Sequence, residues 1–278
     1  MSPKICLVTG ANGGIGRAAA GALAKRGAVV VLACRDRVRG QLAASEIVSA
    51  TGNRAVEVLA VDLSSQDSVR ALAAAFAEKY ERLDALLHVA AVVKARRALT
   101  PDGLETMFAV NHLAPFLLTG LLLDRLKAVA PSRVVTITAP STTALDFDDL
   151  QGEKRFNSLG AFGASKMANL LFTYELARRL QGTGVTANAL HPGLVKSDLM
   201  KEAPLPVRFI TQLVSSGPEK AGEALADLAL SPQFEGQSGK FFGSGKEIKS
   251  NAYSHDAQTQ ARLWEVSVEL TQGSALPN

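Results

Sequence analysis

A glycine-rich turn set between a strand and a helix constrains this chain more than any other feature. The segment "LVTGANGGIGRAAAGALA" begins at Leu7. Before the turn, Lys4–Thr9 is a short β-type run; after it, Ile15–Arg26 is alanine-rich, reads as helix and ends before Gly27. Gly10, Gly14 and Gly16 give G-x-x-x-G-x-G, which differs from the G-x-G-x-x-G of the common dinucleotide fingerprint. The physics is shared. Glycines allow a tight turn and a close approach of backbone N–H groups to a pyrophosphate, and the helix start adds its positive dipole end. Gly10, Asn12, Gly13, Gly14, Ile15, Gly16 and Arg17 are therefore candidate nucleotide contacts.

Downstream the period keeps switching between strand and helix. Val29–Cys34, Ala55–Val61, Leu83–Ala90, Arg133–Thr138, Val185–Leu190 and Gly239–Phe242 read as strands. Val38–Ala50, Ser65–Lys79, Phe162–Gln181, Pro218–Leu230 and Ala257–Leu270 read as helices. Thr100–Val129 reads as one long helix, with Pro101 in its first turn. Continuous apolar strands such as Val29–Cys34 fit a sheet covered on both faces. The expected fold class is α/β: a Rossmann-type, doubly wound parallel sheet of about seven strands with helices on both faces. With 278 residues, 47% of them apolar, and no repeat or linker, the whole of 1–278 reads as a single domain.

The end of the second strand selects the nucleotide. An NAD site presents a carboxylate there to the ribose hydroxyls. This chain reads "ACRDR", so Arg35 comes first, and a guanidinium grips a 2′-phosphate with parallel hydrogen bonds. Arg17 could add a second positive charge, whereas Asp36 could be turned toward a ribose instead. NADP(H) is the expected cofactor. Asp62 in "VDL" could accept from an adenine amino group or cap a helix, and Leu63 lies beside it.

The remaining composition excludes more than it suggests. The net charge is +4, and the basic stretches Arg35–Arg39 and Lys94–Arg97 do not alternate with aromatics, so no nucleic-acid partner is expected. Cys6 and Cys34 fall inside strands, as buried thiols in a reducing compartment, and offer no metal-site spacing. No apolar run is read as reaching the roughly 18 residues of a membrane span, and the N-terminus enters a strand with no signal peptide. The expectation is a cytoplasmic protein with no membrane insertion and no metal.

These residues resemble the short-chain dehydrogenase/reductase family over essentially the whole chain, and its retinol-dehydrogenase-like branch in particular. The likeness is carried by "TGANGGIGRAAA", "LACRDR", "VNHLAPFLLTGLLL", "DLQGEKRF", "LFTYELARRLQGTGVTANALHPGLVKSDL", "SGKFFGSGKEI" and "RLWEVSVELT". The resemblance implies a site of Asn, Ser, Tyr and Lys. Asn111 matches the asparagine, which in the family kinks a helix and holds a water, and Lys166 matches the lysine, which holds the nicotinamide ribose and lowers the tyrosine's pKa. The tyrosine position, four residues before Lys166, is Phe162, and the serine position is Ala139. Ser141, beyond Pro140, is the freer substitute hydroxyl; Thr138 would need a local distortion of the strand. Further cofactor contacts implied are Ala90 after strand four, and Pro192, Gly193 and Val195 in the turn after strand six. The family's Asn-Asn-Ala-Gly reads "HVAA", His88–Ala91, so Ala91 replaces a glycine of close packing. His88 and His191 are expected to be structural.

Carbonyl reduction needs a hydride and a proton. A positioned acid is worth about 10²–10⁴ in rate and an oxyanion donor about 10²–10³. Phe162 and Ala139 supply neither. Three readings follow. The first is a reductase with altered proton delivery, acting on a conjugated alkene, an iminium or an activated carbonyl, with Lys166 and a water on Asn111 as one replacement for the tyrosine. The second is a redox-neutral cyclase, isomerase or lyase, and the third a nucleotide-binding sensor or scaffold. Tyr→Phe and Ser→Ala are also the changes a designed knockout would carry. The substrate is expected to be an apolar small molecule under a lid at 198–216, where Pro204 and Pro206 interrupt an apolar run. A homodimer through the helices near 102–127 and 162–181 is an even alternative to burial of those helices against the chain's own sheet.

Overall fold

In the computed structural model, which describes residues 2–195 and 217–272, one sheet organises the chain. Its strands are β1 (Ile5–Thr9), β2 (Val29–Cys34), β3 (Val56–Ala60), β4 (Ala85–His88), β5 (Ser132–Ile137), β6 (Val185–His191), β7 (Lys240–Gly243) and β8 (Lys246–Glu247), in the spatial order β3-β2-β1-β4-β5-β6-β7-β8. The pairings from β3 through to β7 are parallel and the β7–β8 pairing is antiparallel. The order reverses between β1 and β4, and it is at such a point that the C-terminal ends of parallel strands open a crevice.

Helices α1 (Gly14–Lys25), α2 (Arg37–Thr51) and α6 (Glu219–Leu230) cover one face. Helices α3 (Gln66–Lys79), α4 (Thr106–Lys127), α5 (Ser158–Arg179) and α7 (Ala257–Leu270) cover the other. Alternation along β2 divides the two cores: Val30 and Leu32 enter the first, Val31 and Ala33 the second. On the first face α1 and α6 meet closely. A Cβ on Gly222 would lie 2.6 Å from the carbonyl carbon of Ala18, so only glycine permits that approach.

Three expectations change. The helix expected from Thr100 begins at Thr106, because Gly103 takes φ +76° and Leu99 bridges Glu105, leaving Pro101 in a turn. Glu105 then caps the helix by accepting from the N–H groups of Met107 and Phe108. An eighth strand appears where about seven were expected. Ser244 and Gly245 both have positive φ, the geometry of a two-residue hairpin, and they turn β7 back into β8. Thirdly, α4 is long and apolar enough to cross a membrane by length and composition, although 94% of its most apolar window is buried inside the fold.

The faces of α4 and α5, for which a partner copy and burial within the chain were even alternatives, pack against α7. Phe116 of α4 and Phe172 of α5 both meet Trp264 of α7, at ring separations of 5.0 and 6.2 Å. The Arg179 guanidinium also lies over that indole, at 4.3 Å. The lid expected at 198–216 lies wholly outside the described residues.

Candidate active site

The site is assembled at the C-terminal ends of the strands. Gly10 leaves β1 with φ +67° and donates its N–H to Ala33 at 2.9 Å, locking the turn to β2. A Cβ on Gly10 would lie 2.9 Å from the Cα of Ala90. The tight packing thus falls between Gly10 and Ala90, while Ala91 is half-buried beside it. Thr9 holds that neighbour in place: its hydroxyl accepts from the N–H groups of Val89 and Ala90. The sequence reading missed Thr9, whose one signal was its place at the end of a strand.

Gly13, in extended backbone, precedes α1. No side chain caps this helix, and its first turn holds no acid. A Cβ on Gly16 would collide with the carbonyl of Gly10. Helix N–H groups that lack a side-chain acceptor, backed by a turn with no room for Cβ atoms, fit a pyrophosphate. Asn12, Gly14, Ile15 and Arg17 belong to the same turn and first helical turn.

At the end of β2 the carboxylate of Asp36 is engaged. Its Oδ1 accepts the N–H of Arg39 at 3.0 Å and caps α2. That leaves Arg35 exposed at the strand end, and the Arg39 guanidinium 3.9 Å from where a Gly13 Cβ would lie. Arg39 was visible in the sequence only as part of a basic run; helix α2 brings it to the turn. Arg17 pairs with Glu46 at 2.6 Å, so its charge is partly answered. Asp62 accepts from the N–H and hydroxyl of Ser64, shaping the exit of β3, and Ser65 rather than Asp62 caps α3. Leu63 packs against the second core.

At the nicotinamide end, α4 contains a π-helical turn, Ala109–Leu113, centred on Asn111. The Asn111 Oδ1 accepts from the N–H of Val92 at 2.8 Å, and its Nδ2 donates to the carbonyl of Val92 and to Ser165 Oγ, both at 3.0 Å. Both Nδ2 hydrogens are used, so the side chain offers a water only the second lone pair of Oδ1. Asn111 thereby ties the loop after β4 to α5. Ser165, absent from the sequence reading, passes the network on by donating to the carbonyl of Phe162 at 2.8 Å.

Helix α5 carries Phe162 and Lys166 on one face, as four-residue spacing requires. Phe162 packs against the buried pair Val93 and Met107, as do Val92, Phe156 and Ala161. Lys166 is 4% exposed, its Nζ lies 5.3 Å from the centre of the Phe162 ring, and burial pulls its pKa down to about 8. Ala139 is half-buried at the end of β5. The chain turns sharply after it, with the Ser141 N–H donating to the Ala139 carbonyl, and Ser141 Oγ donates to the Gly163 carbonyl at 2.8 Å. Ser141 thus reaches the site with its hydrogen already committed. Thr138 Oγ1 donates to the Lys166 carbonyl at 2.7 Å and faces away from the role of a free hydroxyl.

The turn after β6 brings Pro192, Gly193 and Val195 beside this end, with Gly193 at φ +76°. His191 is half-buried there, and burial lowers its pKa. His88 lies in β4 with Nε2 2.8 Å from Thr119 Oγ1, and burial lowers its pKa to about 3. The Thr119 hydrogen goes to Pro115, so His88 donates to it, as a neutral core histidine does. Among the described residues no cluster of His, Cys, Asp or Glu could hold a metal ion.

The sequence model of the short chain dehydrogenases matches residues 4–206. This chain belongs to the short chain dehydrogenase family. The family is one of oxidoreductases that bind a nicotinamide cofactor. The chain is similar to retinol dehydrogenase 12 of Mus musculus, with 46% identity over 272 residues, covering 96% of this chain and 86% of the relative. Retinol dehydrogenase 13 of Homo sapiens is 41% identical over 278 residues, with 96% and 84% covered. Among solved structures, a protein from Mycobacterium Paratuberculosis superposes with a TM-score of 0.79 at 32% identity, covering 99% of this chain and 95% of the other. A short chain dehydrogenase from Shigella flexneri, complexed with NADP, gives 0.69 at 25% identity, covering 88% and 98%.

Proposed function

We propose that this family member binds NADP(H) and reduces an apolar small molecule without a tyrosine acid. The observation that carries the reading is the pair Phe162 and Lys166. The ring and the lysine keep the spacing of the family's site, yet the ring has no hydroxyl and Ala139 supplies none. Hydride addition to a conjugated alkene, an iminium or an activated carbonyl fits such a site, because the developing charge there needs less help at a carbonyl oxygen. The apolar wall of Val92, Val93, Met107 and Phe156 supports an apolar substrate. The similarity to retinol dehydrogenases supports the same reading, toward a retinoid-like polyene.

The cofactor preference is supported by Arg35 and Arg39 together with the engagement of Asp36 in the α2 cap. When bound, the dinucleotide supplies the hydride. The turn Gly10–Gly16 and the α1 start would hold its pyrophosphate, Arg35 and Arg39 its 2′-phosphate, and Lys166 its nicotinamide ribose. The apolar wall excludes water, and the Asn111–Ser165 bonds fix α5 against the loop after β4.

A redox-neutral cyclase or isomerase is the second reading, favoured by the commitment of the Ser141, Ser165 and Thr138 hydroxyls to main-chain carbonyls. One experiment separates the two. The protein is incubated with NADPH or NADH and a panel of enones, activated ketones, imines and polyenes that includes retinal, while cofactor absorbance and product mass are followed together. NADPH loss that matches product supports the reductase. Product without NADPH loss supports the redox-neutral enzyme. Binding of NADPH with no product supports a sensor.

A further inference from the structure

Four polar side chains around Phe162 and Lys166 already have their hydrogens engaged. Ser141 donates to the Gly163 carbonyl, Ser165 to the Phe162 carbonyl and Thr138 to the Lys166 carbonyl. Asn111 spends both Nδ2 hydrogens on Val92 and Ser165. Phe162 has none to give. His191 is held neutral at pH 7 by burial and so is no useful acid. Beside them stands the Lys166 ammonium, 4% exposed, over the Phe162 ring and, among the described residues, with no carboxylate or carbonyl accepting from it.

We propose that Lys166 is itself the catalytic proton donor of this chain, in place of the missing phenol, and does more than hold a ribose. The inference rests on the reductase reading above. The step balances as follows. The hydride brings two electrons and one hydrogen to a carbon of the substrate's double bond. The displaced electron pair, on oxygen, nitrogen or the second carbon, takes one proton from Lys166 Nζ. The ammonium becomes an amine, and solvent returns the proton when product leaves.

The environment suits that cycle. Burial is the one cause of the Lys166 shift, and a pKa of about 8 leaves the group mostly protonated at neutral pH yet a far better acid than a surface lysine. The elements packed around α5 carry titratable groups that are occupied elsewhere. His112 in the π turn bonds Ser267, Glu105 caps α4, Arg133 of β5 donates to the carbonyls of Leu228 and Ser231, and His255 bonds Ser250. On α7, Arg262 lies over Phe147 and near Asp148, and Glu265 and Glu269 lie on the same helix. None of these contributes to the Lys166 shift.

The test has two arms. In the first, protein carrying ¹³Cε-lysine is titrated by NMR without cofactor, and Lys166→Met identifies the resonance. One lysine is expected to titrate near pH 8 and to vanish in the variant; a Lys166 that titrates above pH 10 with the rest overturns the inference. In the second, wild type and Lys166→Arg are compared in NADPH binding and in the pH–rate profile. Arginine keeps the charge and the donors toward a ribose but does not release a proton at neutral pH. Lys166→Arg is expected to bind NADPH while turnover falls by about 10²-fold or more and the loss of rate above pH 8 disappears. Turnover by Lys166→Arg at the wild-type rate, with the alkaline limb intact, overturns the inference and leaves the reductase standing. A wild type that consumes no NADPH on any substrate overturns the reductase reading, and the inference with it.

Discussion

The buried Lys166 ammonium sits 5.3 Å from the centre of the Phe162 ring, close enough for a cation–π attraction. This pair keeps the spacing of a lysine and a tyrosine while lacking one oxygen. Phe162→Tyr with Ala139→Ser is therefore expected to restore two polar groups beside an existing cation. The double variant should gain NADPH-dependent reduction of simple activated ketones by about 10²-fold or more. Native turnover should fall or stay level, since a hydroxyl placed among Val93, Met107 and Phe156 lacks partners. The check is kcat on both substrate classes. No gain on ketones, with NADPH still bound, would mean a pocket reshaped beyond two hydroxyls and would favour the redox-neutral reading.

Burial of the same ammonium makes stability depend on alkaline pH. The folded pKa of Lys166 is lowered from 10.5 to about 8. Below about pH 8 both folded and unfolded chains hold the proton, and the desolvation penalty is constant. Between about 8 and 10.5 the unfolded chain binds more protons, so this group's contribution to stability rises with pH. The full span amounts to roughly 3 kcal/mol. Cys6 and Tyr80 act in the opposite sense, because burial raises both of their pKa values. The quantity to measure is thus the difference between wild type and Lys166→Met in urea at pH 7 and pH 10. The variant's advantage should shrink as pH rises; an advantage independent of pH would contradict the buried charge.

Acid should unfold the protein through two core histidines. His88 bonds Thr119 and His112 bonds Ser267, and burial lowers both pKa values to about 3. Between about pH 3 and 6.5 the unfolded chain binds more protons, so stability falls as pH drops through this window. At pH 5 each histidine costs about 2 kcal/mol relative to pH 7. His88→Gln should lower stability at pH 7 yet lose about half of the decline between pH 7 and pH 5. Thermal or urea unfolding at the two values reads this directly, and a decline equal to wild type would rule His88 out as a source.

Trp264 closes the face of α4 and α5, and its removal should be costly. It is 4% exposed, between Phe116, Phe172 and the Arg179 guanidinium. Trp264→Ala should destabilise by about 3–5 kcal/mol, the usual range for an aromatic core truncation. Among the described residues α7 covers the α4–α5 face that a second copy would use, so light scattering at micromolar concentration should give a monomeric mass for wild type. A dimer would place the contact on another surface.

Much of the fold was legible because its signals are local. The Gly10–Gly16 turn and the apolar β2 each announce themselves within a few residues. The π turn at Asn111 was not legible from the residues, since it depends on a side chain bonding to Val92, a distant residue in sequence. The start of α4 was misplaced because Pro101 suits a first helical turn as well as it suits the turn that Gly103 makes. At the site, Phe162 and Lys166 were placed by the family resemblance, since neither carries a local signal of its own. The commitment of Ser141 and Ser165 to carbonyls, and the arrival of Arg39 near Gly13, needed three dimensions.

The nucleotide preference can be tested apart from any substrate. Arg35 is exposed at the end of β2, and Asp36 beside it spends its Oδ1 on the Arg39 N–H, which lessens its call on a ribose. Arg39 adds a second guanidinium close to Gly13. A 2′-phosphate would meet one or both, whereas a free 2′-hydroxyl would find no carboxylate turned toward it. Arg35→Ala is therefore expected to weaken NADPH binding by about 1.5–3 kcal/mol, the range for a lost hydrogen bond to a charged group. NADH binding should barely change. Arg39→Ala should act in the same direction, and the double variant should bring the two cofactors close to equal affinity. Because these charges sit in water, the NADPH advantage should also narrow as salt is raised. Calorimetry with both cofactors at low and high salt gives all of these values. Equal losses for NADPH and NADH in Arg35→Ala would show that the arginine holds the shared part of the nucleotide, and the assignment to NADP(H) would fall.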